Sequence, residues 1–375
     1  MVDPVLEADF EVAVRGFGLQ ASFQAGPELV VVFGPSGAGK SLMLRSLAGL
    51  VTPRKGHIRL GDRVLFDHER GVNLSPQARN VGYVPQHFAL FPHLTIAENI
   101  GYGLRRMARA AQAERVRELL QVMRLEGQAK RRPGEVSGGQ QQRAALARAL
   151  ARRPAMLLMD EPFGALEEAL REHLREEIRR VQSTHLIPVV LVTHNLAEAY
   201  SLGDRLVVVE EGRVVQTGSR DSVFRRPATP SIARLMGMVN FLRVRVLEQE
   251  ETESMVEWHG RRLQVRPRLS IAPGEEVELG LRPEEIMIVR SHRPVDPTIK
   301  ENSLSAVVAE DQPLGFDHLL ALDLTPTSPS GARLLVRIPH PIFLRLELAV
   351  GQERVLSIKP TSFHAFPSGS SSRSD

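Results

Sequence analysis

The apolar positions of this 375-residue chain change rhythm twice. Up to about residue 223, short unbroken apolar runs stand at 29–33, 155–159, 188–192 and 206–209. Runs of that length without alternation predict strands buried on both faces. Helical periodicities lie between them. Leu166, Leu170, Leu174, Ile178 and Val181 fall near one face of a predicted helix over 166–181, with Arg and Glu elsewhere. A second helix is predicted over 40–49, with Leu42, Leu44, Leu47 and Ala48 as packing positions. This alternation predicts an α/β fold with a mostly parallel sheet. Residues 95–152 interrupt it, because they are almost wholly helical in pattern and far more basic. They read as a helical insertion. After about residue 238, short alternating segments at 241–246, 276–281 and 333–338 stand between Pro/Gly turns. These predict small antiparallel β modules, with 240–290 and 302–365 as two similar ones. The tail 367–375 (Pro-Ser-Gly-Ser-Ser-Ser-Arg-Ser-Asp) reads as disordered.

Composition narrows the partners. Hydrophobic residues make up 42% and charged residues 25%, an ordinary globular balance. The net charge of +4 from 48 basic and 44 acidic side chains gives no reason to expect a nucleic-acid partner. Without cysteine there are no disulfides or thiolate sites, which is compatible with a reducing cytosol. The start, Met1-Val2-Asp3-Pro4 with Glu7 and Asp9, lacks the basic and apolar regions of a secretion signal. No apolar run approaches the ~20 residues that span a bilayer, so a membrane role requires a partner.

The chemistry is carried by punctuation at the ends of these elements. Gly34-Pro35-Ser36-Gly37-Ala38-Gly39-Lys40-Ser41 follows the apolar run 29–33 directly and opens a helix. It fits G-x-x-x-x-G-K-[ST], whose backbone N–H groups cradle phosphate oxygens at a helix N-terminus. Lys40 would meet the β- and γ-phosphates, and Ser41 would offer its hydroxyl to Mg²⁺. The bare pattern arises by chance in roughly one in a hundred chains of this length, so context decides. Asp160 and Glu161 end the run 156–159. Asp160 suits a water-mediated Mg²⁺ contact and Glu161 a proton acceptor for attacking water. Alone, the pair is equally an acidic turn. Ser137-Gly138-Gly139-Gln140 opens an Ala/Leu/Arg helix, either a capped start or an anion site. Gln86 and His194 follow apolar strands at 81–85 and 188–193. Alone, the first reads as a loop glutamine and the second as a structural histidine.

Taken in order, 34–41, Gln86, 137–140, 159–162 and His194 give the chain a resemblance to the nucleotide-binding subunits of ATP-binding cassette importers over about residues 10–237. The resemblance implies a P-loop NTPase cassette over 1–237 with a helical subdomain at about 87–153. A small all-β domain (OB-like, TOBE-type) would follow at 238–366, in modules 238–291 and 300–366. It further implies a homodimer that sandwiches ATP and Mg²⁺ between 34–41 of one subunit and 137–140 of the other. By the same match Glu161 is the catalytic carboxylate, His194 a γ-phosphate contact, and Gln86 the link to a permease. The metal set would be Ser41, Gln86 and Asp160. Integral-membrane permease subunits would be direct partners and a periplasmic or extracellular substrate-binding protein an indirect one. The ATPase would sit peripherally on the cytoplasmic face of the inner membrane. Loops near 86–108, with Phe88 and Phe91, would dock the permease, unless those rings are core.

Segments 61–67, 73–79 and Phe91-Pro92-His93 look similar to molybdate-importer ATPases. Segments 301–308 and 356–360 resemble their oxyanion-binding β domain, which suggests an oxyanion ligand there and molybdate as cargo. Sulfate, tungstate, ferric-ion and polyamine importers are related alternatives. A soluble cassette ATPase without a permease is the reading from another class. Leu281-Arg282-Pro283-Glu284 is shared by several importer ATPases, and is equally a strand followed by a Pro turn. The chain departs from the family with Glu167 for the usual Asp, Val136 for Leu, and Asn195 for Asp. It also lacks an evident adenine-stacking aromatic: Glu11 occupies the expected spacing, and Phe10 and Phe17 are the nearby candidates.

Overall fold

A computed structural model of the chain describes residues 5–14, 16–164, 168–266, 268–289, 302–325 and 331–366. Glu167, Glu301 and the tail 367–375 lie outside them, as do the side chains of Leu166 and Leu170. The chain divides into two compact units, 1–223 and 224–375.

The first unit is built on an eleven-stranded sheet. Its strands are β1 (Leu6–Val14), β2 (Phe17–Ala25), β3 (Leu29–Phe33), β4 (Lys55–Leu60), β5 (Arg63–Asp67) and β6 (Val72–Asn73). They continue with β7 (Val81–Val84), β8 (Met156–Asp160), β9 (Val189–Thr193), β10 (Arg205–Glu210) and β11 (Arg213–Ser219). The order is β6-β5-β4-β1-β2-β11-β10-β3-β9-β8-β7. The four unbroken apolar runs are β3, β8, β9 and β10, paired in parallel together with β7. The other flank differs from the mostly parallel sheet expected. β1, β2, β4, β5 and β6 pair antiparallel. The reason is visible in burial: β2 alternates buried and exposed residues, as a strand with one face in the core must.

Helices connect these strands: α1 (Lys40–Ala48), α2 (Pro76–Arg79), α3 (Ile96–Gly101), α4 (Arg109–Val122), α5 (Gly138–Leu150), α6 (Glu168–His185) and α7 (Leu196–Leu202). Met43, Leu44, Leu47 and Ala48 of α1 are buried, as are Leu174, Ile178 and Val181 of α6. Helices α3, α4 and α5 make up the basic insertion between β7 and β8. No described helix is long and apolar enough to cross a membrane.

The second unit holds two five-stranded antiparallel sheets. One orders β14 (Arg261–Val265), β13 (Ser254–Trp258), β12 (Asn240–Gln249), β15 (Glu276–Leu281) and β21 (Phe363–Ala365). The other orders β16 (Ile286–Ile288), β20 (Glu353–Ile358), β17 (Asn302–Pro313), β18 (Asp317–Leu324) and β19 (Arg333–Pro339). Both contribute to one hydrophobic cluster, from Leu242 and Leu279 to Leu320 and Leu356. Segments 238–291 and 300–366 exchange strands, since β21 pairs with β15 and β20 with β16. Residues 224–237 also pack in this unit. Arg282 of the Leu-Arg-Pro-Glu segment donates to the carbonyls of Met236 and Phe224, and its guanidinium lies 3.8 Å from the Phe224 ring centre.

Candidate nucleotide site

The loop 34–41 joins β3 to α1, and two glycines there admit no side chain. A Cβ on Gly34 would stand 2.0 Å from the Val209 carbonyl oxygen of β10. Gly39 caps α1 with φ of 104°, the left-handed region that glycine enters freely. Lys40 is 5% exposed, and its Nζ donates to the carbonyls of Gly34 and Pro35, each at 2.8 Å. Burial lowers the Lys40 pKa, and the nearby Glu161 and Asp160 carboxylates oppose that shift. The loop is thus folded around its own cation.

Ser41, on the first turn of α1, donates Oγ to Asp160 Oδ1 at 2.9 Å. Asp160 ends β8 and is 6% exposed; burial raises its pKa, partly offset by the Ser41 bond. The next residue, Glu161, has φ of 45°. A non-glycine residue there stores backbone strain of about 1–3 kcal/mol, a feature that clusters at functional sites. The turn aims Glu161 along the strand ends: Oε1 lies 3.0 Å from His194 Nδ1, and Oε2 accepts from Gln86 Nε2 at 3.2 Å. Three carboxyl-edge loops, after β7, β8 and β9, therefore converge on one carboxylate, where ligands of open α/β sheets bind. Asn195 caps α7 by accepting the Glu198 N–H at 3.2 Å.

The segment 137–140 stands apart. No described hydrogen bond or ion pair joins it to the cluster around Lys40 and Glu161. Ser137 caps α5, accepting from Gln140 N at 3.3 Å, while Gln140 Oε1 accepts from Ser137 N at 3.0 Å. Ser137 and Gly138 are exposed, and the N–H groups of a first helical turn have no intrahelical partner. Of the aromatic candidates, Phe10 is core at 1% exposure, whereas Phe17 is 37% exposed and lies against Gly39. Sequence reading missed the clamp on the loop after Gln86: Arg148 of α5 donates to Phe88 O at 2.8 Å and Ala89 O at 2.6 Å. An arginine in a basic helix gives no pattern signal for such a bond.

The chain is 36% identical to the spermidine/putrescine import ATP-binding protein PotA 1 of Pseudomonas aeruginosa, over 89% of this chain and 87% of the relative. It is also 36% identical to the sulfate/thiosulfate import ATP-binding protein CysA of Thermosynechococcus vestitus, over 92% of this chain and 91% of the relative. The chain belongs to the ABC transporter ATPases. The family pattern described as ABC transporter matches residues 18–164. The trehalose/maltose import ATP-binding protein MalK of Thermococcus litoralis is a further relative, 36% identical over 79% of this chain and 80% of the relative. Among solved structures, the ATP-binding cassette MJ0796 matches with TM-score 0.50 and 28% identity. The match covers 57% of this chain and 98% of that one, which was solved as a dimer in a post-hydrolysis state with ADP and Pi. As an ABC ATPase the chain binds and hydrolyses ATP, and its first unit is the P-loop cassette.

Proposed function

We propose that this ABC ATPase energises uptake through a permease as a homodimer, with an oxyanion of the molybdate type as cargo. The observation that carries the catalytic reading is the convergence of Gln86 and His194 on the strained Glu161. A water beside Glu161 attacks the γ-phosphorus of ATP while the bond to the bridging oxygen breaks. Its proton passes to a Glu161 carboxylate oxygen, leaving ADP and phosphate. His194 and Gln86 orient that carboxylate and the water. Lys40 exchanges the Gly34 and Pro35 carbonyls for phosphate oxygens, and the N–H groups of 34–41 cradle the rest.

The metal follows from donor chemistry. Ser41 Oγ and Asp160 Oδ1, 2.9 Å apart, are hard oxygen donors beside the head of α1, and the amide oxygen of Gln86 would be a third. Few protein ligands beside a polyphosphate suit Mg²⁺, which keeps waters and substrate oxygens. When bound it supplies positive charge to the phosphates.

The exposed start of α5 supports a trans role: Ser137, Gly138, Gly139 and Gln140 would close on the ATP held by a second copy. The lengths matched to import ATP-binding proteins support a permease partner and a peripheral position on the cytoplasmic membrane face. Those relatives carry names for polyamine, sulfate/thiosulfate and maltose import. The likeness of 61–67 and 73–79 to molybdate-type ATPases supports an oxyanion, with the all-β unit as the place where it would act on the ATPase. Glu161→Gln is expected to bind ATP, slow hydrolysis by at least ~100-fold, and accumulate an ATP-bound dimer in light scattering. Turnover at the parent rate would remove Glu161 as the base. Reconstitution with receptor and permease then ranks stimulation by molybdate, sulfate and spermidine. Stimulation by spermidine alone would refute the oxyanion reading.

A further inference from the structure

The loop after Gln86 is held in a costly shape. Phe88 has φ of 59° and Ala89 φ of 47°, two successive non-glycine residues in the left-handed region. Such a pair persists only where the surroundings over-determine it. The local bonds are few: Phe88 N donates to Pro85 O at 2.9 Å and Ala89 N to His87 O at 2.6 Å. What fixes the pair from outside is Arg148. Its two terminal nitrogens donate to Phe88 O at 2.8 Å and Ala89 O at 2.6 Å, and its guanidinium lies 5.5 Å from the Phe91 ring centre. Among the described residues Arg148 makes no ion pair. Burial lowers its pKa below the ordinary guanidinium range, so the contact is made at a desolvation cost. A planar fork matched to two carbonyls does what a point charge on a flexible stem does not.

Arg148 also sits in the last turn of α5, the helix that begins after Ser137. Eleven residues at about 1.5 Å each put roughly 16 Å of rigid rod between the two. The rod's one end carries the segment expected to meet a second copy's ATP. Its other end grips the loop that carries Gln86.

We propose that Arg148 is a positioning residue: by clamping the left-handed turn at Phe88 and Ala89, it sets the reach of Gln86 to Glu161 and ties that reach to the position of α5. This rests on the catalytic reading of Glu161 given above. Arg148 touches neither ATP nor water; it acts through Gln86.

The test is ATP turnover by the full chain with Arg148→Lys, Gln86→Ala, the double variant, and Arg148→Lys combined with Ala89→Gly. Arg148→Lys is expected to lower kcat about ten-fold or more while KM for ATP stays within about two-fold, because the loop 34–41 is untouched. The double variant is expected to be no slower than Gln86→Ala, the non-additivity of residues that act as one unit. Ala89→Gly is expected to restore most of kcat to Arg148→Lys, since glycine takes that φ without strain. Arg148→Gln is the second variant, with the same pattern expected, and thermal midpoints show which proteins are folded in the assay. Unchanged kcat in folded Arg148→Lys, or losses that multiply in the double variant, overturn the proposal. Glu161→Gln is run alongside. Fast Glu161→Gln removes the reading beneath the clamp, whereas slow Glu161→Gln with fast Arg148→Lys removes the clamp alone.

Discussion

Asp160 stands in a buried site and keeps a carboxylate there, with burial raising its pKa. A group whose folded pKa lies above its unfolded value adds stability below the unfolded pKa. That stability is lost as pH rises through the folded value. Burial of the Asp160 carboxylate is therefore a local cost to the nucleotide-free chain as pH rises above the ordinary carboxylate range. Asp160→Asn keeps an acceptor for Ser41 and is expected to raise the stability of the nucleotide-free protein by about 1 kcal/mol at pH 7. That gain should shrink as pH falls into the carboxylate range, and ATP hydrolysis should collapse. Denaturation curves at pH 7 and pH 4 check the first part, and a destabilised Asp160→Asn at pH 7 contradicts it. Phe17, exposed beside Gly39, is the expected adenine platform. Phe17→Ala should raise KM for ATP several-fold and leave kcat near its parent value, as loss of a stacking contact of about 1 kcal/mol implies. Lys40, Asp160 and Glu161 could be singled out in the sequence only because their motifs stand in the order of the importer ATPases; alone, the acidic pair reads equally as a turn. The conformation of Glu161 could not be read there, since its φ of 45° departs from what a non-glycine residue adopts by default and leaves no mark in the residue types.

At the scale of elements, legibility followed burial. Strands β3, β8, β9 and β10 are apolar on both faces and were readable as runs. β1 and β2 alternate, β1 with carboxylates and β2 with small and amide side chains between its apolar positions, so neither forms an unbroken apolar run. Short elements held by side chains were the least readable. Arg79, fully buried, ends the four-residue α2 and donates to the carbonyls of Ser46 and Leu47 at the end of α1, at 2.8 and 2.9 Å. It also reaches Leu74 O at 3.0 Å and Asn73 Oδ1 at 3.1 Å. A guanidinium at that helix end complements the dipole and satisfies last-turn carbonyls. Burial pulls its pKa to about 10, so it remains charged at neutral pH. Arg79→Met should cost about 2–4 kcal/mol by leaving buried carbonyls unpaired. Chemical denaturation measures this, and a loss below about 0.5 kcal/mol would mean that the cap is dispensable.

For the whole molecule, the change of texture near residue 238 does not coincide with the change of packing near 223. The resemblance assigns 224–237 to the cassette, yet Arg282 anchors it to the β unit. The same unit carries a pH-sensitive point. His364 donates to Pro227 O at 2.8 Å, and burial lowers its pKa, with Arg282 and Arg226 adding to the shift. A depressed histidine contributes stability that is fully present above about pH 6.5 and lost as pH falls through its folded value. The β unit should therefore melt earlier at pH 5 than at pH 7.5, and His364→Gln should blunt that drop. An equal drop in His364→Gln would assign it elsewhere. Lys40 already has two acceptors in the loop that surrounds it. On the proposed reading, a departing phosphate leaves behind no stranded charge, because the lysine returns to carbonyls that are waiting. The empty loop is then a mould that keeps its own stopper, ready for the next nucleotide without refolding, and spent ADP holds no monopoly on the cation.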